Sequence, residues 1–244
     1  MKIAKTQRRQ FRRGVRRFRD RVAEASPAWL RRAAGPVVDT LDMLLIDHGI
    51  FRMAYLNRHE IAPGAWRAAQ PAPRDLRRAA REGIRTIVNL RGVRDCGAYR
   101  LEVKTCAATG LKLVDFPVKS RATPEPEVIL AAAKLFSEIE YPILMHCKSG
   151  ADRAGLMSTL YMILKERRPV AESLKQLDWR YGHFRQANTG ILDHVFESYL
   201  KDNPSGEEPF ETWVATRYDP EAVRASFRAK GWANFIVNRV LWRE

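Results

Sequence analysis

A histidine, a cysteine and, six residues further on, an arginine stand within one short stretch, His146-Cys147-Lys148-Ser149-Gly150-Ala151-Asp152-Arg153. A cysteine thiolate is a strong nucleophile and can carry a covalent intermediate. The planar guanidinium of Arg153 can hold two oxygens of one anion while their charge shifts. Lys148 adds positive charge, Asp152 a carboxyl able to move a proton, and Ser149, Gly150 and Ala151 a short run of backbone amides. The chemistry this set suits is binding a phosphate-like anion and attacking it.

Such residues need elements to converge them. Tyr141–Met145 is a short apolar run and reads as a buried strand, whereas Ala154–Leu164 has helical apolar spacing. The stretch therefore joins a strand to a helix N-terminus, where free backbone N–H groups and the positive end of the helix dipole favour an anion. Gly150 permits tight curvature, and Gly155 lets the helix start pack closely.

This arrangement resembles the signature of the cysteine-dependent protein tyrosine and dual-specificity phosphatase superfamily. The resemblance extends over roughly residues 51 to 202. Trp66-Arg67-Ala68-Ala69-Gln70-Pro71 is similar to the family's early strand and turn, Thr86–Arg91 to its next core strand, and Leu111–Val118 to the strand leading to its acid loop. The resemblance implies an α/β fold, a central, mostly parallel sheet flanked by helices. It also implies phosphomonoester hydrolysis: Cys147 forms a phosphocysteine, Arg153 and the loop amides of Lys148, Ser149, Gly150 and Ala151 hold the phosphoryl group, and His146 orients the loop. No metal or other cofactor is implied.

Two positions depart from the family pattern. Ala154 stands where a hydroxyl residue usually helps the thiolate leave, and Lys119-Ser120-Arg121 stands where the general acid is expected. Candidates to replace that acid are Asp152, Asp115, and Glu125 or Glu127, with Asp152 preferred for its place in the loop. An aspartate before the arginine also occurs in superfamily members acting on phosphoinositides, and Lys148 resembles a loop suited to substrates with several phosphates. The substrate expected first is thus a phosphorylated membrane lipid or inositol phosphate, with a phosphotyrosine or dual-specificity protein substrate second. A phosphate-binding pseudophosphatase and a rhodanese-like sulfur transferase are the alternatives outside that reading.

The formal charge is +15, of which +10 falls in residues 1–32, where ten arginines and two lysines face two acidic residues. Phe11, Val15, Phe18 and Val22 recur there at helical spacing, the pattern of a basic amphipathic helix suited to an anionic membrane surface. The plainer alternative is a solvated basic arm, and no nucleic-acid partner is expected. Val37–Leu56 carries too many charges to span a bilayer, and neither a secretory signal nor a metal-binding cysteine spacing is visible. With three cysteines, Cys96, Cys106 and Cys147, an odd number, the expectation is a cytoplasmic protein, peripheral on the inner membrane face.

The organisation read from the chain is an N-terminal extension over 1–50, a phosphatase domain over 51–203 and a C-terminal helical extension over 204–244. A last domain helix is expected over Thr189–Leu200 with Asn188 as its cap. Gly231–Trp242 reads as a further amphipathic helix, packed on the domain or, with Trp232, Phe235 and Trp242, facing a membrane. Two features stay ambiguous by residue type alone. His183 and Arg185 lie in a segment that either lines the phosphate pocket or is ordinary packing, and Arg91 either reaches a second phosphate or pairs with Asp95.

Overall fold

Ile143–Cys147 is apolar but for its histidine and buried at every position, as a strand covered on both faces must be. The computed structural model, which describes residues 37–43 and 56–228, sets this strand at the centre of a five-stranded sheet. In chain order the strands are β1 (His59–Ala62), β2 (Ala65–Ala69), β3 (Thr86–Asn89), β4 (Lys112–Asp115) and β5 (Ile143–Cys147), and their spatial order is β1-β2-β5-β3-β4. Only the β1–β2 hairpin is antiparallel. The other pairs are parallel, with Ala69 opposite Cys147 and Asn89 opposite His146, so β2, β3 and β5 end along one edge. In open parallel sheets ligands bind beyond that carboxyl edge.

Besides the helical residues 37–43, the helices around the sheet are α1 (Pro73–Arg81), α2 (Gly97–Thr109), α3 (Pro126–Glu138), α4 (Asp152–Leu164), α5 (Val170–Ser173), α6 (Ile191–Asp202), α7 (Phe210–Thr216) and α8 (Pro220–Ser226). Strand periodicity divides the apolar residues into two layers. Ala68, Ile87 and Leu144 pack on one face with Leu76, Ala79 and Cys106 of α1 and α2. Val88, Ile143, Met145 and Cys147 turn to the other, larger core, where α3, α4 and α6 lie. The helix α4 is buried on nearly every side, which marks it as an internal helix rather than an amphipathic cover.

Flanking segments add to this body. Residues 37–43 are helical and dock on α2, where Asp39 meets Arg100 at 2.7 Å and Lys104 at 3.2 Å, and Asp42 accepts from the Gly97 N–H. At the other end, Phe210, Trp213, Val214, Tyr218 and Val223 enter the larger core directly. The basic pattern of residues 1–32 and the expected helix of Gly231–Trp242 lie outside the described residues.

Several boundaries differ from those expected. The last domain helix is α6, preceded by a 3-10 turn over Asn188–Gly190, with Gly190 rather than Asn188 at the cap position. The tightness of that turn explains the shift, since a Cβ on Gly190 would lie 1.7 Å from the Arg185 carbonyl oxygen. The strand β4 stops at Asp115, two residues before Pro117, which has no N–H for a ladder. Residues 170–181 form α5 and 3-10 turns over Leu174–Gln176 and Trp179–Tyr181.

Candidate active site

The pleat of β5 sends its last two residues to opposite sides. Cys147 turns into the larger core and is only 2% exposed. His146 turns towards α2, where Glu102 Oε1 lies 2.5 Å from its Nε2, both side chains being fully buried. Glu102 Oε2 accepts from Gln70 Nε2 at 3.0 Å, and Gln70 Oε1 accepts from Arg91 Nη1. Arg91 thus joins a buried polar chain ending beside Cys147, while Asp95 accepts from Arg100 at 2.7 Å.

After Cys147 the chain turns sharply, and four successive carbonyls are held from outside the turn. The Gln70 N–H donates to Lys148 O at 3.4 Å, Asn57 Nδ2 to Ser149 O at 3.0 Å, and Arg67 Nη2 to Gly150 O at 2.8 Å and Ala151 O at 3.0 Å. In a planar trans peptide the N–H points opposite to the carbonyl. Drawing these oxygens outward therefore turns the N–H groups of Ser149, Gly150, Ala151 and Asp152 to the inner side, the polarity an anion requires. Gly150 has φ +74°, and a Cβ there would meet Ala69 N at 2.6 Å. Gly155 is equally confined, its would-be Cβ lying 2.7 Å from Leu177 Cδ2 and 3.1 Å from Gln176 O.

Arg67, in the middle of β2, is fully buried. Besides the two loop carbonyls it donates through Nη1 to Gln176 O at 2.6 Å and Oε1 at 3.1 Å, and its guanidinium lies 4.0 Å from the Tyr181 ring centroid. Burial lowers its pKa to about 10, against the opposing influence of Tyr181, Cys147 and Asp152, so it stays charged at neutral pH. Asn57 ties the same pieces together, donating also to Tyr181 O at 2.9 Å. Residue-type reasoning passed over both Arg67 and Asn57. A signal was present in Arg67, a charge inside the otherwise apolar Ala65–Ala69.

Arg153 follows in the first turn of α4, and its Nε is buried without a hydrogen-bond partner among the described residues. Asp152 is buried, with Oδ1 2.8 Å from His183 Nδ1, and the second ring nitrogen of His183 lies 2.6 Å from Asp193 Oδ2. Burial alone would lower the His183 pKa, but the hydrogen bonds and charges of the two aspartates outweigh it and push it up to about 9. The segment holding His183 therefore does reach the loop, through Asp152. Arg185 instead pairs with Glu197.

The other candidate acids are placed differently. Asp115 Oδ1 accepts from Asn89 Nδ2 and Oδ2 from the Tyr99 hydroxyl, both at 2.7 Å. Burial, and then Asp115 itself, raise the Tyr99 pKa and keep it a donor. Glu125 and Glu127 are exposed at the start of α3, and Ala154 is fully buried. Cys106 sits in the smaller core, where burial and Glu102 push its pKa up to about 12, leaving it an inert packing thiol. No group of His, Cys, Asp and Glu among the described residues could hold a metal ion.

Residues 56–189, which contain Cys147, Arg153, Asn57, Arg67 and His183, match the family described as DSP-PTPase phosphatase fused to NAD+ kinase. The chain belongs to this DSP-PTPase family. Relatives of this DSP-PTPase chain include the dual specificity protein phosphatase TpbA of Pseudomonas aeruginosa, from strains UCBPP-PA14 and PAO1. Each is 26% identical over 110 residues, which cover 45% of this chain and 47% of the relative. The chain thus spans about half the length of the curated relatives it matches. Among solved structures, P. aeruginosa TpbA gives a TM-score of 0.48 at 18% identity, covering 71% of this chain and 91% of that one. The active form of Tk-PTP gives 0.47 at 20% identity, with 59% and 98% covered. PTPMT1 gives 0.45 at 15% identity, with 61% and 98% covered.

Proposed function

We propose that this DSP-PTPase chain hydrolyses phosphomonoesters through Cys147. The observation that carries the reading is the inverted loop, with four carbonyls restrained outward between a buried cysteine and the unpartnered Nε of Arg153. In the first step the Cys147 sulfur bonds to phosphorus, the ester P–O bond breaks, and the leaving oxygen takes a proton from solvent water. Arg153 and the N–H groups from Ser149 to Asp152 hold the phosphoryl oxygens as their charge grows. Water then cleaves the S–P bond, and inorganic phosphate leaves. His146, held beside Glu102, and Arg67 keep the loop in shape.

The substrate class in this reading is a phosphorylated membrane lipid or inositol phosphate. Its support is Lys148 beside the nucleophile and the +10 charge of residues 1–32. No helix among the described residues is long and apolar enough to cross a membrane. A phosphoprotein substrate is the second reading, favoured by the 26% identity to proteins named dual specificity protein phosphatases.

Phosphate release from phosphoinositide vesicles, soluble inositol phosphates and phosphotyrosine peptides, with Cys147→Ser in parallel, tests both levels. The expected result is release that prefers vesicles and disappears in Cys147→Ser. Equal or greater release from peptides would transfer the assignment to a protein substrate. Release unaffected by Cys147→Ser would end the thiol mechanism.

A further inference from the structure

His183 is fully buried, yet both ring nitrogens face carboxylates: Asp152 Oδ1 at 2.8 Å and Asp193 Oδ2 at 2.6 Å. A neutral imidazole has one donor and one acceptor nitrogen, so with both carboxylates ionised only the imidazolium satisfies both partners. The aspartates come from different elements, Asp152 from the first turn of α4 and Asp193 from the first turn of α6. They bind opposite sides of the ring rather than converging on one point, which agrees with the absence of a metal-holding group among the described residues.

We propose that His183 is a positioning residue for the anion loop, a charged clasp that fixes Asp152, and with it the adjacent Arg153, to α6. The inference rests on the phosphomonoesterase reading. Its backbone is itself held, the His183 N–H donating to Asp178 O at 3.1 Å. The clasp therefore works with Arg67, which binds Gln176 and the loop carbonyls on the near side of the same segment. Asp152, paired in this way, serves as an anchor that places Arg153, a role distinct from the proton donation expected from its sequence position.

The charged groups acting on His183 are Asp152 and Asp193, and Arg67 in turn acts on Asp152. With the pKa of His183 raised from 6.5 to about 9, the clasp's contribution to stability is fully present below pH 6.5 and is lost as pH rises through about 9.

Two substitutions separate positioning from core packing. The amide nitrogen of His183→Asn falls near the place of Nδ1 and can still donate to Asp152, whereas that of His183→Gln falls near Nε2 and can donate only to Asp193. Tungstate, which stays a dianion across this range, is the probe, measured by calorimetry from pH 6 to 10 beside ring ¹H–¹⁵N spectra of wild-type His183. The expected spectrum shows two ring protons at pH 7. His183→Gln should weaken tungstate binding by roughly tenfold or more, a charge-assisted bond's share, while His183→Asn retains most of it. The advantage of wild type over His183→Asn should fade through pH 9.

A single ring proton at pH 7 overturns the proposal. So does equal loss in both variants with equally lowered Tm, the mark of a packing residue. If wild type binds no tungstate while His183 keeps both protons, the anion-loop reading has failed and the proposal falls with it, although the ion-paired histidine itself stands.

Discussion

Arg67 illustrates how one buried charge can shape a binding loop without touching the ligand. Its guanidinium makes four hydrogen bonds, two to the loop and two to Gln176, and lies against Tyr181. A lysine carries the same charge on a compact ammonium and cannot reproduce a planar fork stacked on a ring. Arg67→Lys should therefore free at least one of the Gly150 and Ala151 carbonyls and destabilise the fold by about 1–3 kcal/mol, the usual loss for hydrogen bonds to a charged group. Urea unfolding measures that loss, and tungstate affinity should fall with it. An unchanged affinity in a folded Arg67→Lys protein would show that the loop keeps its polarity without this brace. The position was hard to identify in the sequence because an isolated arginine in a strand normally faces water, and only tertiary packing buries this one.

At the scale of elements, the strand, loop and helix around Cys147 were legible because each carries a strong local pattern: an apolar run for β5, a glycine at the turn, helical spacing for α4. The bracket formed by residues 174–190 was not. Its short 3-10 turns lack a sustained period, and its shape is set by distant partners, Arg67 with Gln176 and Asp152 with His183. The plainer reading of His183 as a packed histidine was correct about burial and silent about the two aspartates. The glycine of the turn gives a direct test of the element. At φ +74° an alanine costs about 1–2 kcal/mol in backbone terms alone. The Gly150→Ala methyl would also meet the Ala69 N–H at 2.6 Å and the Ala68 carbonyl carbon at 2.7 Å, backbone atoms of β2 that cannot swing aside. The loop must then shift from β2, so Gly150→Ala should lower the urea midpoint and abolish measurable tungstate binding. Retained affinity would mean that the loop's contact with β2 does not set its shape.

Across the whole molecule, charge and chemistry are separated along the chain. Two thirds of the net charge lies in residues 1–32, whereas Cys147, Arg153 and their supports all lie within residues 56–193. The described end of the C-terminal extension belongs physically to the larger core, through Trp213 and its neighbours, so removing it would expose that core. Removing residues 1–32 takes away no partner described for the loop. Basic residues near an anionic bilayer contribute about 1 kcal/mol each, within a screening length of about 8 Å at physiological salt. If the basic segment delivers the enzyme to a lipid substrate, release from anionic vesicles should fall steeply as salt rises, and deletion of residues 1–32 should lower it at least tenfold and flatten the salt dependence. Hydrolysis of a small soluble aryl phosphate should be nearly unchanged by the deletion and insensitive to salt over the same range. Equal losses on both substrates would tie the segment to the fold instead. Unchanged vesicle activity would leave Lys148 as the remaining support for a lipid substrate and shift the balance towards phosphoproteins.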